Sequence, residues 1–155
     1  MPQQIVFGFH GFPDRVPATL LTDAEPEVCR EVWSLLEQPL KMWPWHTTAT
    51  GDYFSGKGRA PRHPERVGSQ AAPRHGKKRI LLLCELEPGS ICFAGAREMS
   101  FAYGPDITEP LPAKGPVFAR VPKEELSRFY RAGLHLWEAQ YRTHKLVTIM
   151  ATRGV

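Results

Sequence analysis

Apolar positions recur along this chain in two periods. Short β-rich runs dominate: Ile5–Phe9, Ala18–Leu21, the aromatic and threonine-rich stretch Leu40–Phe54, Ile80–Leu86, Ser90–Ala94, Glu98–Tyr103, Val117–Val121 and Leu146–Thr152. Each predicts a strand, because β-branched and aromatic side chains suit a pleated, half-buried surface. Pro88-Gly89, Gly95-Ala96 and Gly104-Pro105 punctuate them as turns. Two stretches repeat at helical spacing instead. In the first, Thr22 and Glu25 have capping-box spacing and Pro26 suits a first turn. Val28, Cys29, Val32, Trp33, Leu35 and Leu36 then share a face as far as Pro39. The second opens at Pro122 and runs over Glu124–His144, with Leu126, Phe129, Tyr130, Leu134, Trp137 and Tyr141 as its stripe. Both stripes predict largely buried tryptophans, at Trp33 and Trp137. About eight short strands and two helices predict a mainly β, closed antiparallel barrel with helices across its ends, in a single domain spanning 1–155.

Composition sharpens this picture. With 155 residues and 42% apolar content, the chain can bury one core. Its longest apolar run, Ile80–Cys84, is five residues, against the roughly 18 that a membrane helix needs. The start, Met1–Phe7, lacks the basic and apolar regions of a secretory signal. The cysteines Cys29, Cys84 and Cys92 are odd in number and have no CxxC spacing, which disfavours a disulfide frame and a zinc site. A reduced, cytoplasmic protein is expected.

Charge changes the picture more. Between Lys57 and Arg79 lie eight basic residues and one acid, Glu65, so the segment carries +7 and the rest of the chain −3. Gly56, Gly58, Pro61, Pro64, Gly68, Pro73 and Gly76 interrupt it, which predicts a long loop over 56–79. Such a loop is either a solvated insertion or a functional lid, whose arginines (Arg59, Arg62, Arg66, Arg74) would hold a carboxylate in bidentate geometry. It has no interleaved aromatics, so nucleic acid is not the expected partner.

Several side chains could carry chemistry. His46 stands among Trp43, Trp45 and a threonine run, and is either a proton shuttle or a structural histidine. Alternation puts Glu98, Ser100 and Ala102 on one face of their strand, and Met99, Phe101 and Tyr103 on the other. Tyr103 on the apolar face is a tethered core residue or a pocket donor. Glu98 sits beside Arg97 at a turn. Glu85 and Glu87 continue an apolar face, where a carboxylate can become a base, although emergence into solvent is the simpler account. Asp52 beside Gly51 reads as a turn residue. No histidine spacing predicts a metal, and no nucleophile-elbow or phosphate-binding motif occurs.

The succession Leu20/Leu21, Asp23, Pro26, Cys29, Val32, Leu35/Leu36 resembles the strand-to-helix segment of cyclophilins. Trp45-His46 falls where those proteins have Phe-His-Arg. Thr47 stands where their catalytic arginine would be, so prolyl isomerase activity is not implied. His46, the step Thr50-Gly51-Asp52, Pro88-Gly89, Tyr103-Gly104 and the C-terminal helix resemble bacterial cyclophilin-like proteins that include cucumopine synthase. That resemblance implies a cofactor-independent, Pictet–Spengler-like condensation and cyclisation of an amino acid or amine with a carbonyl compound by acid/base catalysis. On this reading His46, Glu87, Glu98 and Tyr103 are the catalytic candidates. Trp45, Tyr53, Arg66, Arg74 and Arg97 are the substrate-binding ones, for a small carboxylate-bearing molecule. A non-catalytic ligand- or protein-binding barrel is the alternative. The aromatic content predicts a homodimer.

Overall fold

The computed structural model of the chain describes residues 2–59 and 81–154. The first hairpin is β1 (Gln4–Phe9) and β2 (Arg15–Leu20), followed by the helix α1 (Pro26–Leu35). β3 (Leu40–His46) and β4 (Gly51–Gly58) form a second hairpin. Then come β5 (Ser90–Gly95), β6 (Glu98–Ile107), β7 (Val117–Arg120), the helix α2 (Leu126–Glu138) and β8 (Ile149–Arg153). The strands pair antiparallel in the order β1-β2-β7-β5-β6-β4-β3-β8, and β8 closes on β1. This is the expected mainly β, cyclophilin-like barrel with two helices. Closure leaves no sheet edge among the eight strands.

The interior is filled by alternate residues of every strand. Phe7, Phe54, Phe93, Phe101, Phe118 and Met99 are among its fully buried side chains. Phe54 stacks on Phe101 with ring centroids 4.7 Å apart, and Phe7 meets Phe101 edge-on at 5.1 Å. α1 buries Val28, Cys29 and Val32, and burial pushes the Cys29 thiol up to about 11. Pro26 opens α1 as expected, but no capping box forms. Glu25 is itself the residue at the N-cap, without a side-chain cap bond.

Five expectations need correction. Gly104-Pro105 is not a turn, since β6 continues through it to Ile107. Residues 81–86 are not a strand: Leu82 makes an isolated bridge to Pro112, and Leu83–Glu85 is one 3₁₀ turn. Their leucines lie on the sheet rather than in it. Leu81, Leu83 and Leu86 pack with Tyr53, Cys92, Ala102, Ile107 and Ala113 in a small cluster outside the barrel. The strand count is kept because Leu40–Phe54 splits into β3 and the start of β4. The loop expected from residue 56 begins later, since Gly56–Gly58 complete β4. The second helix is α only over Leu126–Glu138, with a 3₁₀ turn at Lys123–Glu125 before it and a π turn at Ala139–Thr143 after it. Trp33 is only partly buried and Trp137 is 42% exposed. The face α2 turns inward is Phe129, Ala132, Gly133 and Leu136, and small residues there let the helix approach the barrel. A methyl group at Gly133 would fall inside the Tyr103 ring. Among the described residues no helix is long and apolar enough to cross a membrane.

Candidate functional site

β6 separates the predicted residues into two places. Directly paired residues of antiparallel strands project to the same side of a sheet. Met99, Phe101 and Tyr103 point into the barrel, and Glu98, Ser100 and Ala102 point out of it.

The inner place is the His46–Tyr103 pair at one barrel end. The Tyr103 hydroxyl lies 2.7 Å from His46 Nε2, and His46 Nδ1 lies 2.7 Å from the Thr47 carbonyl oxygen. A carbonyl can only accept, so Nδ1 carries the proton and Nε2 receives the Tyr103 O–H. Burial lowers the His46 pKa, against the Thr47 carbonyl and the Asp52 charge, which raise it. Burial also raises that of Tyr103, helped by Asp52 and Tyr130. The pair is therefore a neutral imidazole accepting from a neutral phenol. Gln140, unremarked in the sequence, fixes the same residue from outside. Its Oε1 accepts from the His46 N–H at 2.7 Å and its Nε2 donates to the His46 carbonyl at 2.9 Å. The Tyr141 hydroxyl donates to that carbonyl as well, at 3.0 Å. Asp52 sits at this end, its Oδ2 accepting from the Asp106 N–H at 3.1 Å.

The outer place is a row across four strands. Trp45 pairs with Ser55, Ser55 with Ser100, and Ser100 with Cys92. The neighbouring rows bring Tyr53 beside Ala102 and Lys57 beside Glu98. Tyr53, Ser55, Ser100 and Cys92 are all buried, although they face away from the barrel interior. Burial raises the Tyr53 pKa, and nearby Ser100 and Ser55 oppose that rise only in part. Among the described residues, the Tyr53, Ser55 and Ser100 hydroxyls lie near enough to one another to temper the Tyr53 pKa, yet none makes a hydrogen bond of good geometry. Burial pushes the Cys92 thiol up to about 12, so it is a neutral member of this floor. At the rim, Lys114 Nζ stands 5.1 Å from the Trp45 ring centre and 3.7 Å from the Glu98 carboxylate. Trp45 itself is 37% exposed and forms an open aromatic wall. Arg97, at positive φ in the β5–β6 turn, donates to the Arg59 carbonyl at 3.4 Å, beside the end of β4.

The structure thus gathers Trp45, Tyr53 and Glu98 on one surface, with Arg97 next to Glu98 in the chain, and joins His46 to Tyr103 on the other side of the same strand. Glu87 belongs to neither: its carboxylate is 76% exposed and ion-paired with Arg120 at 3.1 Å. Glu85 caps its own turn by accepting from the Leu82 N–H. Arg66 and Arg74, and with them most of the basic segment, lie outside the described residues. Ser55, Ser100 and Lys114 escape a search for motifs. Their signal is the cross-strand register, which requires knowing which strands are neighbours. No cluster of three His, Cys, Asp or Glu side chains that could hold a metal occurs among the described residues.

No family model matches the chain, and no curated protein matches it. Its fold is similar to that of McbB, whose structure was determined in complex with tryptophan. The TM-score is 0.75 at 20% sequence identity, and the match covers 96% of this chain and 44% of McbB. The chain spans under half the length of that structure, so the likeness is one of fold.

Proposed function

We propose that the outer face of β3, β4, β6 and β5 binds an aromatic amino acid or amine and condenses it with a carbonyl compound in a Pictet–Spengler-type cyclisation. The observation that carries this reading is the floor of three buried hydroxyls without well-formed bonds, set between an aromatic wall and a loose ion pair. Buried polar groups without partners are costly and rare, and a ligand's polar atoms would complete them. In this reading Trp45 packs against the substrate ring, Lys114 meets its carboxylate, and Tyr53 donates a hydrogen bond. The amine adds to the carbonyl compound and water leaves, giving an imine. The imine nitrogen takes up a proton, a ring carbon bonds to the imine carbon as the C=N π pair moves onto that nitrogen, and the proton the ring carbon loses passes to Glu98. The sequence is redox-neutral and requires no cofactor.

Two further points agree with the reading. Short motifs around His46, Gly51 and Tyr103 resemble those of cucumopine synthase-like proteins, and the fold is similar to that of a protein crystallised with tryptophan. The His46–Tyr103 pair, with both ring nitrogens engaged, serves here as a strut behind the site. Calorimetry with aromatic amino acids and amines, followed by mass spectrometry after adding aldehydes or α-keto acids, tests the proposal. Saturable binding is expected, together with a product heavier by the carbonyl compound less one water. Glu98→Gln should keep binding within a few-fold and reduce product formation by about 10²-fold or more. Binding with no product from any carbonyl compound would reduce the protein to a non-catalytic ligand-binding barrel. No binding at millimolar concentration would remove the site altogether.

A further inference from the structure

We infer that the outward face of α2 is a self-association surface that takes a second copy of this chain in antiparallel register. This surface is independent of the proposed reaction. α2 turns Phe129, Ala132, Gly133 and Leu136 to the barrel, so its other side cannot fold inward as well. That side carries Tyr130, Leu134 and Trp137, which are 37%, 41% and 42% exposed. Spaced at i, i+4 and i+7, they form one continuous stripe of the kind that buries against another helix. Trp137 is held in place by Tyr141, with ring centres 5.6 Å apart, so the indole stands on a backed surface.

The charges beside the stripe identify the occupant. Arg131 and Glu138 are seven residues apart, two helical turns, and so lie on the same flank. In an antiparallel two-fold pair each flank meets its own copy, which places Arg131 against the partner's Glu138 and Glu138 against the partner's Arg131. The same register sets Leu134 on the partner's Trp137. Both charges are accessible for this: Arg131 is 58% exposed and only loosely engaged with Asp14 at 3.6 Å, while Glu138 is 49% exposed and bridges Arg142 one turn away at 3.2 Å. A surface complementary to its own copy about a two-fold axis defines a homodimer interface.

Light scattering on the full chain tests this, with far-ultraviolet circular dichroism confirming that each variant is folded. The native protein should show twice its 17.5 kDa chain mass at high micromolar concentration. Trp137→Glu should return it to the chain mass, and Leu134→Lys serves equally should the first variant not fold. Arg131→Glu alone should weaken the dimer at least ten-fold by placing like charges together. Arg131→Glu combined with Glu138→Arg should restore it. A native protein that stays monomeric, or a dimer indifferent to Trp137→Glu and Leu134→Lys, overturns the interface. A double swap that fails to restore the dimer overturns the antiparallel register.

Discussion

The two faces of β6 handle buried polar groups in opposite ways. On the inner face, Tyr103 enters an aromatic interior and its hydroxyl is completed by His46, whose second nitrogen is completed by Thr47. On the outer face, Ser100 and its neighbours Ser55 and Tyr53 are as deeply buried, yet among the described residues their hydroxyls lack well-formed bonds. A polar group inside a core must be satisfied by the fold, or stability suffers. A group at a binding surface can be left for a ligand to satisfy. The contrast across one strand is the one expected between scaffold and binding surface, and residue type does not reveal it, since a buried tyrosine occurs on each side.

The contrast can be broken most severely from inside. Phe101→Ala removes the ring that stacks on Phe54 and meets Phe7 edge-on, and should cost about 3–5 kcal/mol in chemical denaturation. A loss under about 1 kcal/mol would mean the barrel interior is not the principal core.

A second test uses pH. Burial holds the His46 pKa below its ordinary value of 6.5 in the folded protein, so the unfolded chain binds the proton more readily. His46 therefore contributes stability that is fully present above pH 6.5 and declines as pH falls from there toward its folded pKa. The slope it adds should not exceed about 1.4 kcal/mol per pH unit. Comparing unfolding midpoints of the native protein and His46→Gln between neutral and mildly acidic pH should show a shallower decline in the variant. Parallel curves would mean the imidazole is not held neutral.

The smallest effect belongs to the outer face. Ser100→Ala deletes a hydroxyl without a well-formed bond, so stability should stay within about 1 kcal/mol of the native value or rise. Binding of an aromatic amino acid should weaken in the same variant. Destabilisation beyond that range would show Ser100 to be part of the scaffold, and the two faces would then obey one rule.

How much of this could be read from the chain depends on which residues carry the signal. Alternation in Glu98–Tyr103 assigned the two faces of β6 correctly, because every second residue there differs in polarity. The apolar run Ile80–Cys84 is no guide to a strand, since four leucine-like residues in a row describe burial and not conformation. They cover a sheet face as readily as they join one. α2 misled differently. Its inward face is built partly from Ala132 and Gly133, which a hydrophobic count hardly registers, so such a count places the larger outward Tyr130, Leu134 and Trp137 on the core side. The outer row could not be seen at all before strand order was known, as Ser55, Ser100 and Cys92 come from three strands.

Gln140 has a consequence of its own. Its carboxamide presents an acceptor and a donor to His46 as a peptide unit of an adjacent antiparallel strand would. A single side chain after α2 thereby stands in for one more residue of sheet at the end of β3. The π turn that places it cannot unravel without freeing the His46 N–H, and that N–H cannot exchange with solvent unless the turn opens. In amide-exchange terms the end of β3 and the end of the last helix are expected to open as one cooperative unit, though 94 residues separate them along the chain.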